Sequence, residues 1–142
     1  MNERLDYLRK NFPTLQEVIK FANPTEEEQT LLDYKGTSSR MIGAQSFMLN
    51  EMIVDAFNTR PDGSKWVPNW KNYDEKKHFA IYDMDSAKHP SGVGFSGSIY
   101  GGWNSTTGCG SRLVLEFGEL VALADELYPD VFIKLLTKQN PK

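Results

Sequence analysis

The residues that decide the fold are RMIGAQSFMLNEMIVDAFN, positions 40–58. One face of this segment repeats at the spacing of three or four residues that marks a helix: Met41, Ala44, Met48, Met52 and Ala56. A second set widens the apolar stripe: Ile42, Leu49, Ile53 and Phe57. Ser38 or Ser39 can cap the first turn, so we predict a long core helix here. Its methionines are interpreted as fillers of irregular core gaps rather than as a binding groove.

Two shorter helices are predicted before this one, because a Thr-x-x-Glu capping pattern begins at both Thr14 and Thr25. In this pattern the threonine hydroxyl and the glutamate carboxylate each accept a hydrogen bond from an amide at the helix start. Helices near 14–22 and 25–34 follow from it. Asn23-Pro24 separates them, because the residue before a proline is pushed out of the helical region.

The C-terminal half is predicted to form a sheet covered by a helix. Alternating apolar residues indicate three strands, at 78–84, 93–99 and 113–117, and their short connections favour an antiparallel meander. An apolar stripe then predicts a last helix that Pro129 interrupts. The expected fold class is α+β, with N-terminal helices, a three-stranded antiparallel sheet and a C-terminal helix packed on the sheet. We predict a single domain over 1–142, with a helical part of about 1–58 and a sheet part of about 66–138.

Composition is typical of a globular protein. The 142 residues are 39% apolar and 25% charged, and no apolar run reaches the ~20 residues that cross a bilayer. The N-terminus lacks the basic-then-apolar order of a secretory signal, and the single cysteine, Cys109, cannot form a disulfide within the chain. We therefore expect a soluble, cytoplasmic protein with no membrane association.

The charge distribution argues against a large nucleic-acid interface. The net charge is −3, and residues 1–59 carry six Lys and Arg against nine Asp and Glu, whereas residues 60–142 carry ten of each sign. Proteins that hold duplex DNA through many phosphates have a basic excess, which these totals do not show.

Patterns for catalysis, cofactors or metals are weak. The clustered glycines of the C-terminal half lie in and between predicted strands rather than before a helix, so they do not form a phosphate-binding loop. Cys109 has two candidate bases, His78 and His89, but no third residue that would orient either one. Asp83 and Asp85 match no standard metal-ligand spacing with these histidines. We therefore predict no catalytic residue, no cofactor and no metal.

The most informative functional pattern is a group of aromatic residues interspersed with lysines. The aromatic members are Trp66, Trp70, Tyr73, Phe79, Tyr82, Tyr100 and Trp103. The neighbouring lysines are Lys65, Lys71, Lys76 and Lys77. Aromatic faces beside cations bind single-stranded nucleic acid, but aromatic residues also dominate protein interfaces and ordinary cores, and Asp74 and Glu75 reduce the local positive charge. Core packing, a protein interface and base stacking all remain open.

Several short motifs occur in a characteristic order. They are Trp66-x-Pro68-x-Trp70-x-Asn72-x-x-Glu75-x-Lys77, Tyr82-Asp83-Met84, Gly92 to Phe95, and Gly110-Ser111-Arg112-Leu113 before an apolar helix. This order resembles a family of small uncharacterised proteins of phages, prophages and other mobile elements, over about residues 48–136. The resemblance implies a phage-like origin and no established activity. The chain departs from the family where Phe79-Ala80-Ile81 replaces an aromatic-Pro-aromatic step, and where Val114 stands in place of a frequent cysteine.

These patterns predict a non-enzymatic binding or regulatory protein with a protein partner. The residues predicted to contact this partner are Trp66, Trp70, Tyr73, Trp103 and Arg112. Two alternatives remain open: a single-stranded nucleic-acid-binding protein that uses the same aromatic residues, and a small hydrolase or transferase that uses His78, Asp83 or Cys109. The exposure of the tryptophans distinguishes binding from a purely structural role, because a shielded ring cannot stack on a ligand.

Overall fold

The computed structural model describes residues 1–84, 88, 94–101 and 111–136. The helices within these residues are α1 (Asn2–Asn11), α2 (Leu15–Ala22), α3 (Glu26–Leu32), α4 (Ser39–Asn58), α5 (Gly118–Leu127) and α6 (Pro129–Leu136). The strands are β1 (Lys77–Asp83) and β2 (Gly94–Gly101), and a short 3₁₀ segment covers Ser111–Leu113. The predicted α+β class is confirmed. None of the described helices is both long enough and apolar enough to cross a membrane.

The starts of α2 and α3 follow from local hydrogen bonds, as the capping patterns predict. At α3 the Glu28 amide donates to the Thr25 hydroxyl at 3.2 Å, and the Thr25 amide donates to the Glu28 carboxylate at 2.9 Å. At α2 the Thr14 amide donates to the Glu17 carboxylate at 3.1 Å. The hydrogen bond from the Thr14 hydroxyl is the main cause that lowers the pKa of Glu17. Helix α2 is capped by the next residue, Asn23, whose φ of 51° lies in the left-handed region that stops a helix.

Helix α4 is buried over its second half rather than along its whole length. Ile53 and Phe57 are fully buried, whereas Met41 is 41% exposed. The prediction that one continuous stripe faces the core is therefore wrong for the first turns of the helix. The physical reason is that the segment after the 3₁₀ turn packs at the C-terminal end of α4, where the Asn58 side chain donates to the Val114 carbonyl at 3.0 Å.

The sheet has two antiparallel strands within the described residues, and the predicted third strand at 113–117 is not confirmed. Strand β1 pairs with β2 in a register that places His78 opposite Tyr100. On the other edge of β1, a single residue pair continues the ladder. The His78 amide donates to the Leu115 carbonyl at 3.0 Å, and the Leu115 amide donates to the His78 carbonyl at 2.8 Å.

Helix α4 holds the segment around Val114 from the edge that faces away from β1. The Asn58 side chain donates to the Val114 carbonyl and accepts from the Glu116 amide at 3.2 Å. Val114 and Leu115 are both buried, so the alternation in the sequence does not correspond to one buried face. One asparagine thus occupies two backbone groups on the edge of this segment that faces away from β1.

An ion-pair network joins α1 to the same segment. Arg4 donates to the Glu116 carboxylate at 2.7 Å and to the Phe57 carbonyl at 2.6 Å, and both charged side chains are largely shielded from solvent. The second carboxylate oxygen of Glu116 accepts from Arg60 at 2.8 Å. Glu116 therefore connects the N-terminal helix, the residues after α4 and the chain that leads into α5.

The predicted C-terminal helix is two helices in the structure. Helix α5 ends at Leu127 and α6 begins at Pro129, which has no amide hydrogen to continue a helix. Helix α5 packs on both strands, whereas α6 packs on α4. Tyr128 lies between the two helices, and its buried hydroxyl donates to the Phe12 carbonyl. Burial is the main cause that raises the pKa of Tyr128 to about 12.

Candidate functional site

The candidate site begins where α4 ends, in the loop that leads to β1. A tight turn opens this loop: the Arg60 amide donates to the Ser64 carbonyl at 2.7 Å, and Gly63 adopts a φ of 85°, which other residues rarely adopt. The Trp66 amide then donates to the Asn58 carbonyl at 2.9 Å. These backbone hydrogen bonds hold the start of the tryptophan-containing segment against the end of α4.

Lys77, the first residue of β1, holds the rest of the loop in place. Its side chain is fully buried, and its ammonium donates to the carbonyls of Asn72 at 3.1 Å and Glu75 at 2.9 Å. A carboxylate oxygen of Glu75 lies 3.3 Å from the same ammonium and accepts from the Asn69 amide at 2.7 Å. The centroid of the Trp70 ring lies 5.5 Å from the ammonium, within the range of a cation–π interaction. The loop therefore wraps around one buried positive charge.

The sequence pattern places Lys77 among the lysines that could face a ligand, whereas in the structure it is buried and holds the loop. Strand alternation puts residue 77 on the same face as Phe79 and Ile81. Ile81 is 40% exposed, however, so this alternation gives no signal for the burial of Lys77.

The loop and the neighbouring hairpin present apolar and aromatic side chains to solvent. Val67 is 69% exposed and Tyr73 is 68% exposed, and Tyr100 on β2 is also exposed. The Lys76 ammonium lies 4.3 Å from the centroid of the Tyr100 ring. Tyr73 lies three residues before Lys76 in the chain, so their Cα atoms are at most about 11 Å apart. We name Val67, Tyr73, Lys76 and Tyr100 the loop surface.

A shallow pocket of about 230 Å³ adjoins this surface. Its lining includes Arg112 from the 3₁₀ segment together with Trp66 and Val67 from the loop. The structure thus brings two predicted contact residues, Trp66 and Arg112, into one depression although they are distant in the sequence. Val67 belongs both to this pocket and to the loop surface. We name the depression the Arg112 pocket.

The charged side chains that line the Arg112 pocket are paired with each other. Arg112 donates to the Glu51 carboxylate at 2.5 Å, and Lys65 forms a salt bridge with Asp55. All four of these side chains line the pocket, so the charged part of its wall consists of two ion pairs as far as the structure describes the chain. Two of the four lysines of the aromatic group therefore have a carboxylate partner: Lys77, which is buried, and Lys65, which stays exposed.

The predicted contact residues differ in accessibility. Trp66 is 9% exposed, so its ring offers little area to a ligand, and Trp70 is half-buried beside Lys77. Tyr73 and Arg112 are exposed. Trp103 lies outside the described residues. Among the described residues, the contact area available at this site therefore comes from Val67 and Tyr73 more than from Trp66 and Trp70.

The residues considered for catalysis or metal binding do not assemble into one site within the part of the chain that is described. His78 and Asp83 lie near opposite ends of β1, about 16 Å apart at the usual rise of a strand. Burial lowers the pKa of His78. Asp85, His89 and Cys109 lie outside the described residues. Among the described residues, no group of three His, Cys, Asp or Glu is placed to hold a metal ion.

The chain matches no known protein-family model, no curated protein and no solved structure. The resemblance to phage and mobile-element proteins therefore stays a prediction. What the loop surface and the Arg112 pocket can bind is inferred from their own side chains.

Proposed function

We propose that this chain is a non-enzymatic binding protein that contacts a protein partner through the loop surface and the Arg112 pocket. The observation that carries the proposal is the exposure of Val67 and Tyr73 on a loop that the buried Lys77 holds in place. Apolar and aromatic side chains gain favourable free energy when a partner shields them from water. A loop that is already ordered loses little conformational entropy on binding.

The charges around the loop favour a protein over single-stranded nucleic acid. Proteins that bind single strands combine stacking faces with a positively charged groove. Here Lys65 and Arg112 each pair with a carboxylate, and Lys77 is buried. Lys71 and Lys76 are also exposed. Two lysines provide little positive charge for binding a phosphate backbone. Paired charges beside apolar side chains are instead typical of the polar rim of a protein interface.

Photo-crosslinking in the natural host cell tests the proposal. p-Benzoylphenylalanine is placed at position 73, and we expect one predominant protein product that disappears when Val67→Ser is added. The matched control places the same probe at position 41, which is also exposed and lies about 25 Å along α4 from its C-terminal end. A product that is equally abundant from position 41, or that persists with Val67→Ser, would contradict the proposed surface.

Titration with single-stranded DNA and RNA tests the nucleic-acid alternative. Stacking of a base on the half-buried Trp70 contributes about 1–3 kcal/mol, which is enough to quench tryptophan emission at micromolar oligonucleotide. We expect no salt-sensitive quenching at physiological ionic strength. Quenching that weakens steeply with salt and is lost in Trp70→Ala would favour the nucleic-acid alternative over a protein partner.

A further inference from the structure

A cavity of about 110 Å³ that is partly open to solvent lies between the second half of α4, the edge of β1 and the two C-terminal helices. Its wall is mostly apolar and includes Ile53, Ala80, Ala124 and Phe132. Among the described residues, no charged side chain lines it. None of the four residues of the loop surface lines it either, so it is distinct from the proposed partner site.

Asn50 is a polar residue in this wall, and its side-chain amide makes no hydrogen bond to another described residue. Its side chain is 6% exposed. Asn58, two turns further along the same helix and 4% exposed, instead both donates and accepts. Tyr82 also lines the cavity, but its hydroxyl donates to the Asp125 carboxylate at 3.3 Å. Among the described residues, Arg4 Nε is the one fully buried side-chain nitrogen or oxygen without a partner, so the Asn50 amide is instead accessible from the open space of the cavity, where a ligand can pair with it.

We propose that the cavity binds a small neutral molecule, with one aromatic ring or a short aliphatic chain and a single hydroxyl or carbonyl group that pairs with Asn50. The apolar wall favours the apolar body of such a ligand, and the polar group satisfies the amide. An engineered cavity of about 150 Å³ lined by leucine, isoleucine and phenylalanine takes up benzene, and the volume here is of the same order. A charged ligand is disfavoured because the described wall has no opposite charge to pair with it.

Water is a poorer occupant of this cavity than an organic ring. A well-held water molecule typically makes about three hydrogen bonds, whereas the described part of the wall offers the amide of Asn50 and a Tyr82 hydroxyl that already donates to Asp125. A ring instead gains dispersion contacts with Ile53 and Phe132 while its polar group reaches the amide. The same wall therefore favours a ligand with one polar end.

Isothermal titration with toluene and p-cresol, which differ by one hydroxyl group, tests the ligand site. We expect both probes to bind the wild-type protein and neither to bind Ala124→Leu, which fills the cavity from its wall. Ala122→Leu is the matched control, because it adds the same volume at an exposed position of α5 and leaves binding unchanged. If Ala124→Leu does not fold, Ala80→Val fills the cavity from β1 instead.

The variant Asn50→Leu tests the role of the amide separately. The preference for p-cresol over toluene, measured as the ratio of their Kd values, is expected to fall about fivefold in this variant, since one neutral hydrogen bond contributes about that factor. An unchanged ratio would overturn the pairing with Asn50. Failure of both probes to bind the wild-type protein, or retained binding in the filled variant, would overturn the ligand site itself.

Discussion

The ammonium of Lys77 lies 5.5 Å from the centroid of the Trp70 ring, and this pair connects the first residue of β1 to the loop before it. Because the lysine is fully buried, its positive charge is stabilised by the carbonyls of Asn72 and Glu75 and by the nearby Glu75 carboxylate. Tyr73 lies between Asn72 and Glu75 in the chain, so the interactions that hold the lysine also position this exposed aromatic side chain.

Lys77→Met tests whether this lysine anchors the loop. The variant keeps most of the side-chain length but leaves the Asn72 and Glu75 carbonyls without their donor. We expect the free energy of unfolding to fall by about 2–4 kcal/mol in urea denaturation. Lys71→Met, at an exposed position of the same loop, is expected to change it by less than about 0.5 kcal/mol. Equal effects of the two substitutions would contradict the anchoring role.

Substitution by leucine is expected to lower the stability of the protein at Asn58 but not at Asn50. Asn58→Leu removes two hydrogen bonds and leaves the Val114 carbonyl and the Glu116 amide without that partner, so we expect a loss of about 2–3 kcal/mol. Asn50→Leu removes a buried amide that has no hydrogen bond within the described residues, so stability is expected to stay equal or rise. Thermal unfolding measures both, and a similar loss in both variants would contradict the contrast.

Glu116→Gln tests the ion-pair network that joins α1 to the core. The buried Arg4 loses its countercharge, and we expect the free energy of unfolding to decrease by about 3 kcal/mol. Glu126→Gln disrupts the exposed pair with Arg9 and is expected to cost at most about 1 kcal/mol. Chemical denaturation at two salt concentrations compares the two pairs. A larger loss from the exposed pair would show that the network does not stabilise the fold.

Ile53→Asp and Met41→Asp test which part of α4 faces the core. An unpaired carboxylate at the fully buried Ile53 has no partner, so we expect this variant to lose its cooperative thermal transition. The same charge at the exposed Met41 is expected to leave the circular dichroism spectrum and the melting transition nearly unchanged. A folded Ile53→Asp protein would be inconsistent with the central placement of the second half of the helix.

His78→Gln tests a pH dependence of stability. Burial lowers the pKa of His78 below its ordinary value of 6.5, so the unfolded chain takes up a proton at a higher pH than the folded protein does. The stabilising contribution of the neutral imidazole is therefore complete above pH 6.5 and is lost as the pH falls toward the folded pKa. We expect stability to fall less between about pH 7.5 and 5.5 in His78→Gln than in the wild-type protein. Identical pH profiles would argue against this shift.

Helix starts and stops could be predicted because they depend on residues within one helical turn. The hydrogen bonds between Thr25 and Glu28 form wherever that turn forms, and Pro129 lacks the amide hydrogen that would continue the preceding helix. The third strand could not be predicted in the same way. Its alternation is local, but whether a segment pairs along β1 depends on how distant segments pack against it, and here Asn58, far away in the sequence, holds the segment at Val114.

The sequence predicted which segment contains the candidate site, but not which of its side chains are exposed or which distant residues join them. Aromatic residues among lysines mark residues 65–77, and Tyr73 is exposed as a contact residue requires. Trp66, however, is buried, and Arg112 reaches the same pocket through the tertiary fold. No local pattern relates an arginine after the sheet to a tryptophan before it.

The sequence by itself determined the α+β class, the capped helices, the break at Pro129 and the position of the aromatic loop, because each follows from short-range periodicity or from the chemistry of neighbouring residues. Only the tertiary structure decided that Lys77 is a buried anchor, that the first turns of α4 are exposed, and that Asn50 faces an apolar cavity. The burial of a side chain depends on which distant segments pack against it, and the local sequence does not contain that information.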